Sequence, residues 1–163
     1  MNLSIQRAAP VNTIQKNEGK AMKISARNVF EGKVSALKEG PINAEVELTT
    51  AGGDRIVAII TDTSVRSLGI AVGKPAVAVV KASAITLLPP KSPYRFTARN
   101  QLAGTIASVV KGAINSQVVI TLQGGGSLSA VVTNDAIGDL DLKTGAGITA
   151  LFKAGQVLLG VPA

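Results

Sequence analysis

The chain has 163 residues, a formal net charge of +7 and 46% hydrophobic residues, but only three Phe, one Tyr and no Trp. It contains no cysteine and no histidine, which removes disulfides, thiolate chemistry, zinc ribbons and the commonest general base. A site for a free metal cation, or an active site, would depend on Asp, Glu and Lys alone. We therefore predict a binding protein and not an enzyme.

The sequence also has features that bear on its location. No apolar run approaches the roughly 18–20 residues that span a bilayer, and the N-terminal residues lack the continuous apolar segment of a secretory signal. We expect a cytoplasmic protein without a membrane partner. Residues 1–21 resemble no other part of the chain, and their mixed polar composition predicts a mobile N-terminal extension.

The rest of the chain is a tandem repeat. Segments 25–88 and 97–160 align without a gap at a shift of 72 residues, with 19 identical positions. The stretch SARN, Ser25 to Asn28, returns as TARN, Thr97 to Asn100. An ungapped match of this length indicates a duplicated domain.

A proline-rich segment separates the two copies. Three prolines within PPKSPYRF, Pro89 to Phe96, exclude a central strand and favour an extended spacer. We therefore predict a first domain over 22–88, a linker over 89–96 and a second domain over 97–163.

Each copy has the pattern of short strands separated by glycine-rich turns. Between the third and fourth strands, TDTSVRSLGI (Thr61–Ile70) predicts one helical turn capped by Asp62 or Thr63, with Asn134 or Asp135 as the cap in the second copy. The fold class is all-β, with two tandem OB-like five-stranded β-barrels that each carry a short helical turn. The strands of the first copy are predicted over Val29–Leu37, Ile42–Thr49, Arg55–Ile60, Ala76–Lys81 and Ile85–Leu88.

Three polar clusters recur at matched places in the two copies. They are the SARN and TARN motifs, the threonine that opens the helical turn, and the lysine of VVKAS or LFKAG. Hydroxyls, an arginine, a lysine and a helix start are all donors, as an oxyanion requires. Each cluster also has a structural interpretation, as a local cap, a surface salt bridge or a lysine at a strand end.

Several stretches of the first copy resemble the molbindin family, also called Mop or TOBE. They are MKISARNVFEGKV (Met22–Val34), INAEVEL, TDTSVRSLGI and VVKAS (Val79–Ser83), and the resemblance extends over residues 22–160. It is closest to the two-domain members. The resemblance implies that the chain binds molybdate or tungstate for molybdenum storage and homeostasis, as a homotrimer with sites between the domains of neighbouring subunits.

The resemblance also implies a set of oxyanion-binding residues. Ala136 stands where the first copy has Ser64, and Gly155 where it has Ser83, so we expect the two kinds of site to differ in affinity. The implied residues are Ser25, Arg27, Thr61, Ser64, Lys81, Ala82 and Ser83 in the first copy, and Thr97, Arg99, Thr133, Lys153 and Ala154 in the second.

Two other functions remain open at this point. An anion-sensing module that regulates a partner protein would carry the same residues. An OB-fold protein that binds nucleic acid is a second alternative, but such folds stack bases on exposed aromatic side chains. Each copy here has one Phe, and the excess of basic residues lies mostly outside the repeats. We therefore expect no nucleic-acid partner.

Overall fold

A computed structural model describes residues 22–163, so the predicted N-terminal extension lies outside the described residues. The first repeat contains β1 (Asn28–Glu39), β2 (Asn43–Thr50), β3 (Arg55–Thr61), α1 (Asp62–Leu68), β4 (Pro75–Val80) and β5 (Thr86–Leu88). The second contains β6 (Asn100–Lys111), β7 (Asn115–Leu122), β8 (Ser127–Thr133), α2 (Asn134–Asp139), β9 (Gly147–Phe152) and β10 (Leu158–Gly160). A 3₁₀ turn follows β4 at Ala82–Ala84 and β9 at Ala154–Gln156.

The strands form two antiparallel five-stranded sheets, in the orders β10-β4-β1-β2-β3 and β5-β9-β6-β7-β8. Two five-stranded units with a short helix each were predicted, and this prediction is confirmed. The difference is that the last strand of each repeat belongs to the sheet of the other repeat. Leu159 pairs with Ala78 in the first sheet, and Leu87 pairs with Ala150 in the second.

The exchange gives the two repeats one continuous hydrophobic core. Phe30 and Val46 of the first repeat belong to the same cluster of buried residues as Ile120 and Phe152 of the second. A unit of this size with few large side chains buries little apolar surface and is only marginally stable alone. Sharing the core across the junction supplies the apolar contact that each unit lacks.

The longest strand of each sheet depends on a glycine. A side chain at Gly32 of β1 would clash with the backbone oxygen of Thr49 on β2, and Gly104 of β6 meets Thr121 in the same way. Just after each glycine the register with the neighbouring strand shifts by a bulge. The close approach of the neighbouring strand at each glycine, together with the bulge that follows, increases the curl of the sheet.

Two buried asparagines join the repeats. Asn100 Nδ2 donates to the carbonyl oxygen of Val57 at 2.8 Å, and Asn100 Oδ1 accepts from the N–H of Val57 at 2.8 Å. Asn28 makes the same pair of bonds to Ser129, at 2.8 and 2.7 Å. Each asparagine, only 1% exposed, thus satisfies one backbone donor and one acceptor on the third strand of the opposite repeat. We call these contacts the asparagine clamps.

The helix caps differ from the sequence prediction. Asp62 and Thr63 were expected to cap α1, but the hydroxyl of Thr61 accepts from the N–H of Ser64 at 3.2 Å. The Asp62 carboxylate is paired instead with Arg66, one turn later on the helix, at 2.6 Å. In the second repeat Thr133 is the cap, through the N–H of Ala136, so Asn134 and Asp135 were also wrong as caps.

Removing either clamp is expected to destabilise the whole chain. Asn100→Ala or Asn28→Ala leaves a buried N–H and a buried carbonyl without partners, at a cost of about 1–3 kcal/mol for each group. Urea unfolding followed by circular dichroism measures this loss. Asn43→Ala, at an exposed asparagine on β2, is the matched control and is expected to change the free energy of unfolding little. Equal effects at Asn43 and Asn100 would contradict the clamp.

Candidate functional site

The SARN and TARN motifs lie where β1 and β6 begin. Ser25 and Arg27 are exposed, whereas Asn28 is buried. The register pairs Asn28 with Val80, the last residue of β4, so Lys81 leaves the sheet beside the SARN motif of its own repeat. The same geometry holds in the second repeat.

In that repeat, Asn100 pairs with Phe152 at the end of β9. Lys153 therefore follows beside the TARN motif, and it is exposed, like Lys81. Each lysine and its motif thus come together within one sheet. They do not need a second chain to meet.

The ends of β4 and β9 face a groove of about 490 Å³ at the junction of the repeats. Of the predicted site residues, the structure brings four together here: Lys81 and Ser83 of the first repeat, and Thr97 and Lys153 of the second. The other residues that line the groove are Ala84, Thr86, Leu88, Phe96, Ala98, Leu151, Phe152 and Gln156.

The groove is rich in hydrogen-bond donors. Lys81 and Lys153 supply ammonium groups, Ser83, Thr86 and Thr97 supply hydroxyls, and Gln156 supplies an amide. Within residues 22–163, no Asp or Glu lines it. Two cations and several neutral donors without a carboxylate suit an anion.

Ala82 and Ala154 follow the two lysines, but their side chains are buried. Each begins a 3₁₀ turn that packs against the third strand of the opposite repeat. The turns are closed by the carbonyl oxygens of Lys81 and Lys153, which accept from the N–H groups of Ala84 and Gln156 at 3.0 Å. Ala82 and Ala154 can therefore contact a ligand only through their backbone groups.

Three predicted residues lie away from the groove within one chain. Thr61 pairs with Asn43 near the end of β1 that is distant from the SARN motif. Its hydroxyl oxygen lies 2.8 Å from that of Ser64, so both belong to the start of α1. Thr133 occupies the matching place in the second repeat. Only another copy of the chain would bring these hydroxyls to the lysines, and their role in binding stays a prediction.

The TARN arginine already has an acidic partner. Arg99 forms two hydrogen bonds with Glu45 on β2 of the first repeat, at 2.6 and 2.8 Å. No sequence pattern joins Glu45 to this motif, because the two lie in different repeats.

Other residues of the site escaped prediction for similar reasons. Gln156 stands where the first repeat has Ala84, so the repeat drew no attention to it. Thr86 enters the groove because β5 joins the second sheet. Asn28 and Asn100 are visible in the sequence as repeated residues of the two motifs. In the structure they are buried polar side chains, and this burial is the signal of their role in joining the repeats.

The described part of the chain offers neither a cluster of metal-binding side chains nor a helix that could span a membrane. Residues 22–163 hold no cluster of three or more acidic, histidine or cysteine side chains that could bind a metal ion. The helices among them are too short to cross a membrane.

Comparison with known families agrees with the repeat. A family model described as the TOBE domain matches residues 24–87 and again residues 97–159. This chain belongs to the TOBE domain family. The resemblance noted from the sequence is confirmed, and the two repeats are hereafter called TOBE units.

A solved structure shares this arrangement. The crystal structure of the cytoplasmic molybdate-binding protein ModG, with molybdate bound, is 52% identical in sequence to this chain. The match covers 86% of this chain and all of the other, with a TM-score of 0.83. The pair of TOBE units is therefore an arrangement that this known protein also has.

Several curated relatives are longer proteins. The molybdenum transport protein ModE of Herbaspirillum seropedicae is 43% identical over 141 residues, which is 86% of this chain and 52% of that protein. The molybdenum-pterin-binding protein MopA of Rhodobacter capsulatus is 34% identical over 155 residues, 95% of this chain and 58% of that protein. The chain thus spans little more than half the length of these relatives.

Proposed function

We propose that this chain binds molybdate or tungstate in the cytoplasm and acts in molybdenum storage and homeostasis. The observation that carries the proposal is the groove between the TOBE units, where two lysines and several neutral donors lie together without a carboxylate. The likeness to a molybdate-binding protein supports the choice of oxyanion. No bond is made or broken, so the chain would act as a reversible buffer and not as an enzyme.

Charge and hydrogen bonding together would hold the ion. A tetrahedral dianion has four acceptor oxygens, and the ammonium groups of Lys81 and Lys153 offset its charge. The hydroxyls of Ser83 and Thr97 are further donors in the same groove. We expect Ser25 and Arg27 to add to this donor set, because the SARN motif lies beside Lys81 at the end of β4. A protonated phosphate would present a hydrogen to a site that offers few acceptors.

A second copy of the chain would complete the site. The donors Thr61 and Ser64 lie at the far end of the sheet, next to an apolar surface. Ile42, whose carbonyl oxygen accepts from the N–H of Asp62 at 2.9 Å, is 75% exposed. Its counterpart Ile114 is 79% exposed beside Thr133. Exposed apolar groups at matched places favour burial against another subunit.

In this arrangement each subunit would present its threonines to the groove of the next subunit. We place the oxyanion sites at these subunit interfaces, in a homotrimer. Threefold repetition of a head-to-tail contact closes a ring and leaves no copy with an unmatched surface.

A regulatory role is the second candidate. The two longer relatives named above match over little more than half of their length, as expected if this pair of units also serves within larger proteins. An anion-sensing module would bind the same ion and pass the signal to a partner protein. An electrophoretic shift assay and an anion titration on one sample would distinguish storage from binding to nucleic acid.

Isothermal titration is expected to show tight binding of molybdate and tungstate and weak binding of sulfate. A cage sized for the larger ions leaves sulfate short of several donors, and each missing bond to a charged group costs about 1.5–3 kcal/mol. Two such losses weaken sulfate binding by at least about a hundredfold. Equal affinity for the three ions would refute the proposed selectivity.

The two lysines of the groove are expected to matter for affinity. Lys81→Ala and Lys153→Ala each remove a charge-assisted hydrogen bond, so molybdate affinity should fall about tenfold or more in the same titration. Lys33→Ala removes the same charge from an exposed position on β1 and is the control. The oligomer should survive all three changes. Normal binding by both groove variants would show that the site is assigned wrongly.

The mass in solution tests the assembly. Light scattering after gel filtration should give three times the 16.5 kDa of one chain. Ile42→Asp with Ile114→Asp should lower that mass and weaken molybdate binding, because charges in an apolar interface are costly. Tyr94→Asp, on the exposed linker, should leave the mass unchanged. A monomer that binds molybdate tightly would contradict the proposed interface sites.

A further inference from the structure

Two glycine-rich turns meet each other at the junction of the TOBE units. One joins β2 to β3 and contains Gly52 and Gly53, and the other joins β7 to β8 and contains Gly124 and Gly125. A side chain at Gly52 would clash with the carbonyl oxygen of Gly124. The backbones of the two turns can touch because a glycine has no side chain to separate them.

One carboxylate crosses this contact. Asp54 Oδ1 accepts from the N–H of Gly124 at 3.1 Å, and the pair is partly buried. A side chain at Gly124 would clash with the same carboxylate. Within its own turn, the N–H of Asp54 donates to Thr50 Oγ1 at 3.1 Å. The first TOBE unit thus supplies the acceptor of the contact, and the second supplies the donor.

The two turns have the same backbone structure but different residues. The N–H of Thr50 donates to the carbonyl oxygen of Asp54 at 2.9 Å, and the N–H of Leu122 donates to that of Gly126 at 2.8 Å. Gly126 is therefore the residue of the second unit that matches Asp54. A β-carbon at Gly126 would lie 3.3 Å from Asp54 Oδ2. The two matched positions thus face each other across the junction.

Pairing of like units would change this contact. If two first units met in the same way, the carboxylates of two copies of Asp54 would lie within a few ångströms of each other and repel. If two second units met, Gly126 would face Gly126, and the N–H of Gly124 would lose its charged acceptor. Unlike units combine one carboxylate with one donor.

We propose that Asp54 and Gly126 make the junction selective for a first unit paired with a second unit. A bond in one pairing and a repulsion in another together give such specificity. The interaction surface is the turn between β2 and β3, and the partner that it fits is a glycine-rich turn with a backbone N–H to donate. The inference does not depend on which anion the chain binds.

The asparagine clamps do not make this choice. Each clamp bonds the backbone N–H and carbonyl of one residue, and both units carry the asparagine. A clamp of this kind forms with any residue at the receiving position. The contact at Asp54, in contrast, depends on the side chain that faces it. Selection there favours the two units of one chain over like units of two chains.

A purely local role for Asp54 makes a different prediction. If Asp54 only supports its own turn through Thr50, its removal lowers stability by the same amount whatever residue stands at position 126. If the two positions select the pairing, their effects are coupled, because each depends on the charge that faces it. A cycle of single and double variants measures this coupling.

Three variants reproduce the possible contacts within the intact chain. Gly126→Asp places a carboxylate on both turns, as in a pair of first units. Asp54→Gly leaves none, as in a pair of second units. The double variant with both changes moves the carboxylate to the other turn, toward the N–H of Gly52, at unchanged composition and net charge. Gly138→Asp is the control, because it adds the same charge at an exposed glycine with open space around it.

Urea unfolding followed by circular dichroism, at low and high salt, measures the equilibrium constant of unfolding. Gly126→Asp should raise this constant about tenfold at low salt and less at high salt, because salt screens the repulsion. Asp54→Gly should raise it about three- to tenfold through loss of the bond. The double variant should be more stable than the sum of the two single effects predicts. Gly138→Asp should change the constant little.

A further variant separates charge from crowding. Asp54→Asn combined with Gly126→Asp removes one of the two facing charges while it keeps a side chain of the same size. It should therefore be more stable than Gly126→Asp alone at low salt, and the difference should shrink at high salt.

Three results would overturn the inference. One is strictly additive effects in the double variant, which shows that the two positions act independently. Another is a chain with Gly126→Asp that is as stable as the control with Gly138→Asp. The third is a loss of stability that neither salt nor Asp54→Asn relieves, which indicates crowding and not repulsion between carboxylates.

Discussion

The two asparagine clamps are the constraint on which the rest of the structure depends. A side-chain amide that bonds both the N–H and the carbonyl of one residue copies the pairing of a strand. In this way the start of β1 or β6 is attached to the third strand of the opposite TOBE unit. Three features depend on that attachment: the shared core, the exchange of β5 and β10, and the position of the motif arginines.

The candidate site lies where the chain changes sheets. Lys81 is the first residue after β4, and the segment that follows it carries the chain into the other sheet as β5. Lys153 stands at the matching point before β10. The lysines are therefore brought to the groove by the same segments that exchange the strands. An isolated unit would retain its own lysine but would lack the groove, because the groove is lined by residues of both units.

Much of the fold could be predicted from the sequence, because the two repeats share the residues that the structure of each unit requires. The five strands and the short helix of each unit follow from local patterns of glycine and β-branched residues, and the proline-rich segment between the units predicts the linker. The exchange of strands did not follow, because local patterns are the same whichever sheet receives β5. Glu45 was missed for the same reason: its partner Arg99 lies in the other unit, and no short-range spacing joins them.

The position of the linker has a consequence for the integrity of the molecule. Because β5 and β6 both flank β9 in one sheet, the linker joins two strands of the same sheet and does not tie the two sheets together. That connection is made by the crossing segments after Lys81 and Lys153. A protease that nicked the exposed linker near Tyr94 would leave two intertwined fragments, each contributing four strands to one sheet and one strand to the other. The complex would persist without a continuous backbone.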